Sequence, residues 1–376
     1  MPLALIDHHC HGVVTADLDQ AGFGALLTES PWPPPPGTSA FDGQLGFAVR
    51  RWCAPVLGLP PSAPPEDYLH RRAELGAAEV NRRLLTGAGV TSWLVDTGYR
   101  ASQLADPVEL ARLSGTPARP VVRLEPVAEQ VAAAGTDAAG FAAAFAVALQ
   151  AAVAGRDRGT GAVGLKSIAA YRFGLDFDPA RPDATAVAAA AGDWLRTIEA
   201  GTAPRLADPV LLRHVIWTGV DLGLPLQFHT GFGDPDARLH RSDPSLLHDF
   251  LAATRGAGLP VMLLHCYPYH RQAGYLAQAF PHVYLDVGEA LNHVGARSAA
   301  VLAETLELAP FGKLLYSSDA FGLAELHYLG ALTFRRDLRR ILDGFVTRGD
   351  WPAADAGRVA ELIGSANARR VYRLDG

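Results

Sequence analysis

The 376-residue chain is 49% hydrophobic and 19% charged, which is enough apolar material for a sizeable core. Its formal net charge of -6 supplies no basic footprint, so nucleic acid is not an expected partner. Three cysteines, Cys10, Cys53 and Cys266, are too few and too scattered for a disulfide framework or a Cys-rich zinc site. They read as thiols in a reducing, cytoplasmic setting.

Along the chain, the opening run Leu3-Ala4-Leu5-Ile6 is too short for a signal peptide and meets Asp7 and three histidines at once. It is the first of eight short apolar runs that read as strands: Leu3 to Asp7, Thr91 to Asp96, Pro120 to Glu125, Ala162 to Ile168, Pro225 to His229, Pro260 to His265, His282 to Asp286, and Lys313 to Ser318. Residues 13–89 interrupt the pattern with the proline run Pro33 to Pro36 and helices expected around Gly43 to Ala54 and Asp67 to Leu85. This stretch reads as a helical insertion at the mouth, after strand 1. Phe141, Phe145 and Leu149 share one face of a helix, with Thr136 or Asp137 as its N-cap. The alanine-rich helix around them packs on a protein core, not in a membrane. Further crossover helices are expected at Val187 to Glu199 and Leu246 to Arg255, and a last helical turn at Ser365 to Leu374. Near-continuous apolar strands alternating with helices predict an α/β fold, a single (β/α)8 TIM barrel over 1–376.

Polar residues at the C-terminal ends of these runs carry the chemistry. In Asp7-His8-His9-Cys10-His11, residues two apart share a face, so His9 and His11 present two imidazoles to one space while Cys10 points away. His229, His265 and Asp319 end or follow strands five, six and eight. Three histidines and a carboxylate suit Zn2+, with Mn2+, Fe2+ or Ni2+ also accommodated, as one or two ions. In such a site Asp319 ligates and carries the proton of an attacking water, and His265 stabilises the oxyanion or is itself a ligand. Lys166, inside an apolar strand, is a metal bridge after carboxylation, a carboxylate partner, an anion contact or a rim lysine. Arg172, next to Tyr171, is placed to clamp a substrate carboxylate. Glu125, Asp96, Glu29 and Asp234, in the loop 231–236, are further acidic groups at the mouth, suited to an amine.

At these positions the sequence resembles the amidohydrolase superfamily, amidohydrolase-2 branch. The resemblance rests on Asp-His-His-Cys-His, Val-Gly-Leu-Lys-Ser-Ile-Ala-Ala-Tyr-Arg, Gln-Phe-His-Thr-Gly-Phe-Gly-Asp, Leu-Leu-His-Cys-Tyr-Pro, Val-Tyr-Leu-Asp-Val-Gly, Tyr-Ser-Ser-Asp and Ser-Ala-Asn-Ala-Arg-Arg. The pattern is similar to the amidohydrolase-like domain joined to glutamine-synthetase-like domains in fungal and plant proteins, here free-standing. The resemblance implies His9, His11, His229 and Asp319 as metal ligands, His265 as ligand or catalytic group, and Lys166 at a position that some members carboxylate. It also implies a metal-dependent hydrolase cleaving a C–N bond of a small carboxylated, glutamyl-type substrate. A non-oxidative decarboxylase or other lyase of the same branch is the alternative, and a silent scaffolding domain ranks last. The expected partner is a small molecule, with no nucleic acid and no membrane; the sequence leaves homo-oligomerisation open.

Overall fold

The computed structural model describes residues 3–155 and 161–374. Seven parallel strands hydrogen-bond in chain order: β1 (Leu5–Cys10), β2 (Val90–Asp96), β3 (Ala118–Arg123), β4 (Gly164–Ser167), β5 (Leu226–His229), β6 (Val261–Leu264) and β7 (Val283–Leu285). Each falls on an apolar run expected as a strand. The eighth run corrects the expectation in detail, because only Leu314 makes a ladder bridge, to Leu285 of β7. Beyond it the chain still closes the ring. Leu315 N donates to Leu285 O (3.1 Å), His8 N to Tyr316 O (3.2 Å) and Asp319 N to His9 O (3.1 Å). The ladder is irregular because other groups take its partners: Ser318 N donates to the Asp7 carboxylate (3.0 Å) and Tyr316 N to Ile363 O (3.1 Å). The fold is a (β/α)8 barrel with an irregular last strand.

Inside the barrel, Ile6, Leu94, Val121, Met262, Leu264 and Leu315 form one apolar cluster. Ala368, Val371 and Tyr372 close it from the N-terminal end of the strands. A much larger cluster fills the layer between the strands and the surrounding helices. Helix Phe141–Ala154 buries Phe141, Phe145 and Leu149, the expected face. Its cap differs from the expectation: the N-cap is Gly140, and Asp137 instead accepts from Gly140 N at 2.6 Å, closing the turn before the helix. All three cysteines are buried and free. Among the described residues, no helix is long and apolar enough to cross a membrane.

Within residues 13–89, short helices lead to α1 (Pro65–Ala88), which breaks at Gly76, where φ is 74°. A backbone in that region favours glycine, which has no Cβ to clash. α1 packs on α2 (Ala324–Thr347) and so serves as the first crossover helix. The two are joined by a buried ion pair. Arg72 Nε donates to Glu325 Oε1 at 2.7 Å, and the Tyr68 hydroxyl donates to the same oxygen at 2.9 Å. Arg72 is 6% exposed and Glu325 0%. Removing one partner of such a pair strands a desolvated charge. Arg72→Met is therefore expected to cost about 3–5 kcal/mol in urea unfolding, and Arg72→Met with Glu325→Leu to recover most of that loss.

Candidate active site

β1 sets up the site through a bulge. Its register against β2 slips so that Asp7 faces Trp93 and Cys10 faces Val95, three steps against two. Simple alternation would send His8 outward if His9 and His11 face in. The extra residue turns the local strand, as bulges do. His8 reaches Asp286 (Nε2 to Oδ2, 3.0 Å) and the Tyr372 hydroxyl (3.0 Å), while His9 and His11 both line the mouth cavity. Cys10 Sγ points instead at Leu94 O, 3.7 Å away.

The neighbours of the two cavity histidines fix their tautomers. Gln227 Nε2 donates to His8 O (2.9 Å) and Tyr372 Oη (2.8 Å), so its Oε1 is the acceptor for His9 Nδ1 at 2.8 Å. His11 Nδ1 lies 3.3 Å from Asp96 O, which can only accept. Both rings therefore donate from Nδ1 and turn the Nε2 lone pair toward Asp319. Asp319 Oδ1 is 3.1 Å from His9 Nε2 and 3.5 Å from His11 Nε2, and Oδ2 is 3.2 Å from His265 Nδ1. The compact group able to hold an ion is His9, His265 and Asp319, with donor atoms within 4.8 Å of one another. His9, His11 and Asp96 form a second such group, although the Asp96 carboxylate is already engaged by Arg123 at 2.6 Å and Gly98 N at 2.8 Å. His229 stands one ring further, its centroid 4.7 Å from that of His265.

Burial lowers His9 to about 3 and His265 to about 4, so both are neutral donors at pH 7. Burial opposes ionisation of Asp319, whereas a proton on any of the surrounding imidazoles, His265, His11 or His9, pulls its carboxyl well below the usual range. Three buried atoms facing this space have no hydrogen-bond partner: His229 Nε2, His265 Nδ1 and Asp319 Oδ1. An unpaired buried polar atom costs about 1–3 kcal/mol. Several such atoms converging with lone pairs fit a cation. His265 and Asp319 also sit at positive φ, 66° and 47°, at the ends of their strands. Lys166 Nζ is 3.4 Å from His9 Nε2, within the cluster and not at the rim, and burial lowers it to about 8.

The cluster forms the floor of a cavity of about 330 Å3. Tyr171, Arg172 and Asp234, expected at the substrate, line it. The Tyr171 ring lies 4.2 Å from that of His229, and a Cβ at Gly233 would overlap the Tyr171 hydroxyl. Arg172 pairs with Glu129 at 3.1 Å, yet its Nε is buried without a partner. Glu125 does not line the cavity, which corrects the expectation. The chain enters helix Leu124–Ala133 one residue earlier, so Glu125 turns inward and accepts from Ser167 Oγ (2.7 Å) and Ile168 N (2.8 Å). Glu29 does line it, together with Glu289 and His293, which the sequence reading did not single out. Gln227 and Asp286 were also missed; a polar residue inside an apolar strand was the available signal.

Gln227 does not line the cavity but orients His9. Gln227→Leu is expected to lower divalent-metal affinity by about 10–100-fold in chelator competition, with the circular-dichroism spectrum retained.

Comparison with known proteins bears on the family and the fold. The family model described as Amidohydrolase matches residues 6–374. Protein fluG of Emericella nidulans is 34% identical over 226 residues, 57% of this chain and 26% of that protein, so the match spans about a quarter of the relative's length. A Lactobacillus casei protein assigned as a metal-dependent hydrolase superposes with a TM-score of 0.85 at 28% identity, over 99% of this chain and 96% of the other. Glucuronate isomerase of Caulobacter crescentus shares the fold, with a TM-score of 0.65 at 15% identity, over 100% of this chain and 92% of the other.

Proposed function

This chain is an enzyme that belongs to the amidohydrolase family, and from that premise we propose a metal-dependent hydrolase that cleaves the C–N bond of a small carboxylated amide. The observation that carries the proposal is the set of partnerless buried atoms at the cavity floor, His229 Nε2, His265 Nδ1 and Asp319 Oδ1, beside the lone pairs of His9 and His11. We assign His9, His11, His229 and Asp319 as the groups that hold the ion, with His265 close enough to join them. Zn2+ suits this donor set best. Held by these residues, a divalent ion would lower the pKa of a water toward neutrality and polarise a carbonyl oxygen.

The protein's own groups do the rest. Asp319, ionised and 12% exposed at its side chain, accepts the proton of the attacking water and returns it to the leaving nitrogen. His265 Nδ1 stands 3.2 Å from the other carboxylate oxygen, beside the reacting atoms. Tyr171 covers His229 and narrows the entrance. Arg172 offers its partnerless Nε to a substrate carboxylate. A protonated ammonium 3.4 Å from His9 Nε2 would oppose a cation at the same place, so Lys166 serves as the neutral amine or as its carbamate. A glutamyl-type amide, the substrate that the sequence resemblance implies, is the first compound to test.

The test begins with chelation. Stripped of metal, the protein should lose amide hydrolysis and regain it with Zn2+ or Mn2+. Asp319→Asn should lower kcat by about 100- to 10,000-fold with the fold intact. Full hydrolysis after demetallation would overturn the proposal, and release of CO2 without amine would reassign the site to a lyase.

A further inference from the structure

A second group at the mouth, outside the proposed ion site, has no assigned role. Glu29 comes from the connection after β1, and Glu289 and His293 from helix Gly288–His293 after β7. Their ligand-type atoms lie within 4.8 Å of one another. His293 Nε2 is 3.4 Å from Glu29 Oε1. Glu289 is 6% exposed, lines the cavity, and its Oε2 is buried with no hydrogen-bond partner. Two carboxylates side by side in a half-desolvated place repel each other unless one takes a proton or a positive charge comes between them, and burial with Glu29 alongside pushes Glu289 well above the usual carboxylate range. Among the described residues, His293 faces Glu29, and no side chain hydrogen-bonds to Glu289 Oε2. Arg123 is paired with Asp96 (2.6 Å), Arg172 with Glu129 (3.1 Å) and Arg205 with Asp236 (3.0 Å).

Position says what would supply the positive charge. Arg172 follows β4, whereas Glu289 follows β7, three places round an eight-membered ring. The proposed ion site, on the ends of β1, β5, β6 and the closing segment, forms the floor between them. Each side of the mouth thus presents one buried ionisable group with an unsatisfied atom, Arg172 Nε on one side and Glu289 Oε2 on the other, where a cation would draw the proton off Glu289. We propose that Glu289 and Glu29 form a subsite for an ammonium group on the amine half of the substrate, which makes that substrate the monoamide of a diamine with a carboxylated acyl half. This rests on the amide-hydrolase reading above. The acyl carboxylate goes to Arg172, the scissile carbonyl to the floor, and the distal ammonium to the two glutamates. Hydrolysis adds one water, breaks the C–N bond, and releases a dicarboxylate and a diamine.

The experiment compares two amides with the metal-loaded enzyme: the monoglutaryl amide of 1,4-diaminobutane, and the glutaryl amide of n-pentylamine, in which a methyl replaces the distal ammonium. The wild-type enzyme should prefer the cationic amide in kcat/KM by about 30-fold, as for a hydrogen bond to a charged group. In Glu289→Gln the ratio should fall toward one, and in Glu29→Gln it should fall part of the way. A wild-type ratio near one, or a ratio that neither variant changes, overturns the proposal. So does loss of one equivalent of bound metal in Glu289→Gln by elemental analysis, because the three groups would then hold an ion. If neither amide is cleaved, it is the hydrolase reading that fails, and calorimetric binding of the same two amides decides the subsite. Tighter binding of the cationic amide, abolished by Glu289→Gln, sustains it; equal binding refutes it.

Discussion

Everything at the mouth depends on how polar groups are paired inside the barrel just beneath it. His8, Gln227, Asp286 and Tyr372 are buried to within a few per cent of complete and come from β1, β5, the end of β7 and the last helix. In so dry a place each needs a partner, since a polar group left without one costs about 1–3 kcal/mol. They find it in one another. Tyr372 accepts from Gln227, and His8 bridges Tyr372 and Asp286. With its amide hydrogens committed, Gln227 can only accept from His9. A network whose members do not line the cavity thereby decides which nitrogen of His9 keeps its lone pair.

Much of this was legible in the sequence because a barrel puts functional groups at one end of its strands. His9 and His11, His229 and His265 announced themselves as polar residues closing apolar runs, and the structure brings His9, His11 and His265 within 3.5 Å of Asp319, with His229 beside His265. What escaped did so for local reasons. Glu125 also closes an apolar run, but the chain turns into a helix at Leu124, and that single early turn rotates Glu125 from the cavity to the backbone of Ile168. Gln227 lies inside its strand, where a period of two shows that it is buried but not which neighbour it instructs. Glu289 and His293 sit on a short helix after β7, with no strand end to mark them.

The irregular eighth strand follows from the same chemistry. Ser317 and Ser318 would continue the ladder in an ordinary barrel. Here the Asp7 carboxylate takes the Ser318 backbone N–H and hydroxyl, and Asp286 takes the Ser317 hydroxyl (2.8 Å). The Asp7 side chain replaces a backbone partner at Ser318, and burial raises Asp7 to about 8 despite its bonds to that residue. The regular ladder is lost where Asp319 must leave the sheet direction and turn toward three imidazoles.

That turn carries strain, and the strain has a visible support. His265, Cys266 and Asp319 all adopt positive φ, a region that L-residues with a Cβ occupy at a cost of about 1–3 kcal/mol each. Asp286 Oδ1 holds the His265 N–H at 3.0 Å and the Gly288 N–H at 2.9 Å, while Asp7 holds Ser318, the residue before Asp319. Asp7 thus takes a ladder group from the last strand, and the two carboxylates together fix the two strained corners. A relaxed backbone at either corner would aim His265 or Asp319 elsewhere and free the atoms that now face the cavity. The cost of keeping those atoms unpaired is met by the rigid layer below, which is why the reactive end can be both strained and specific.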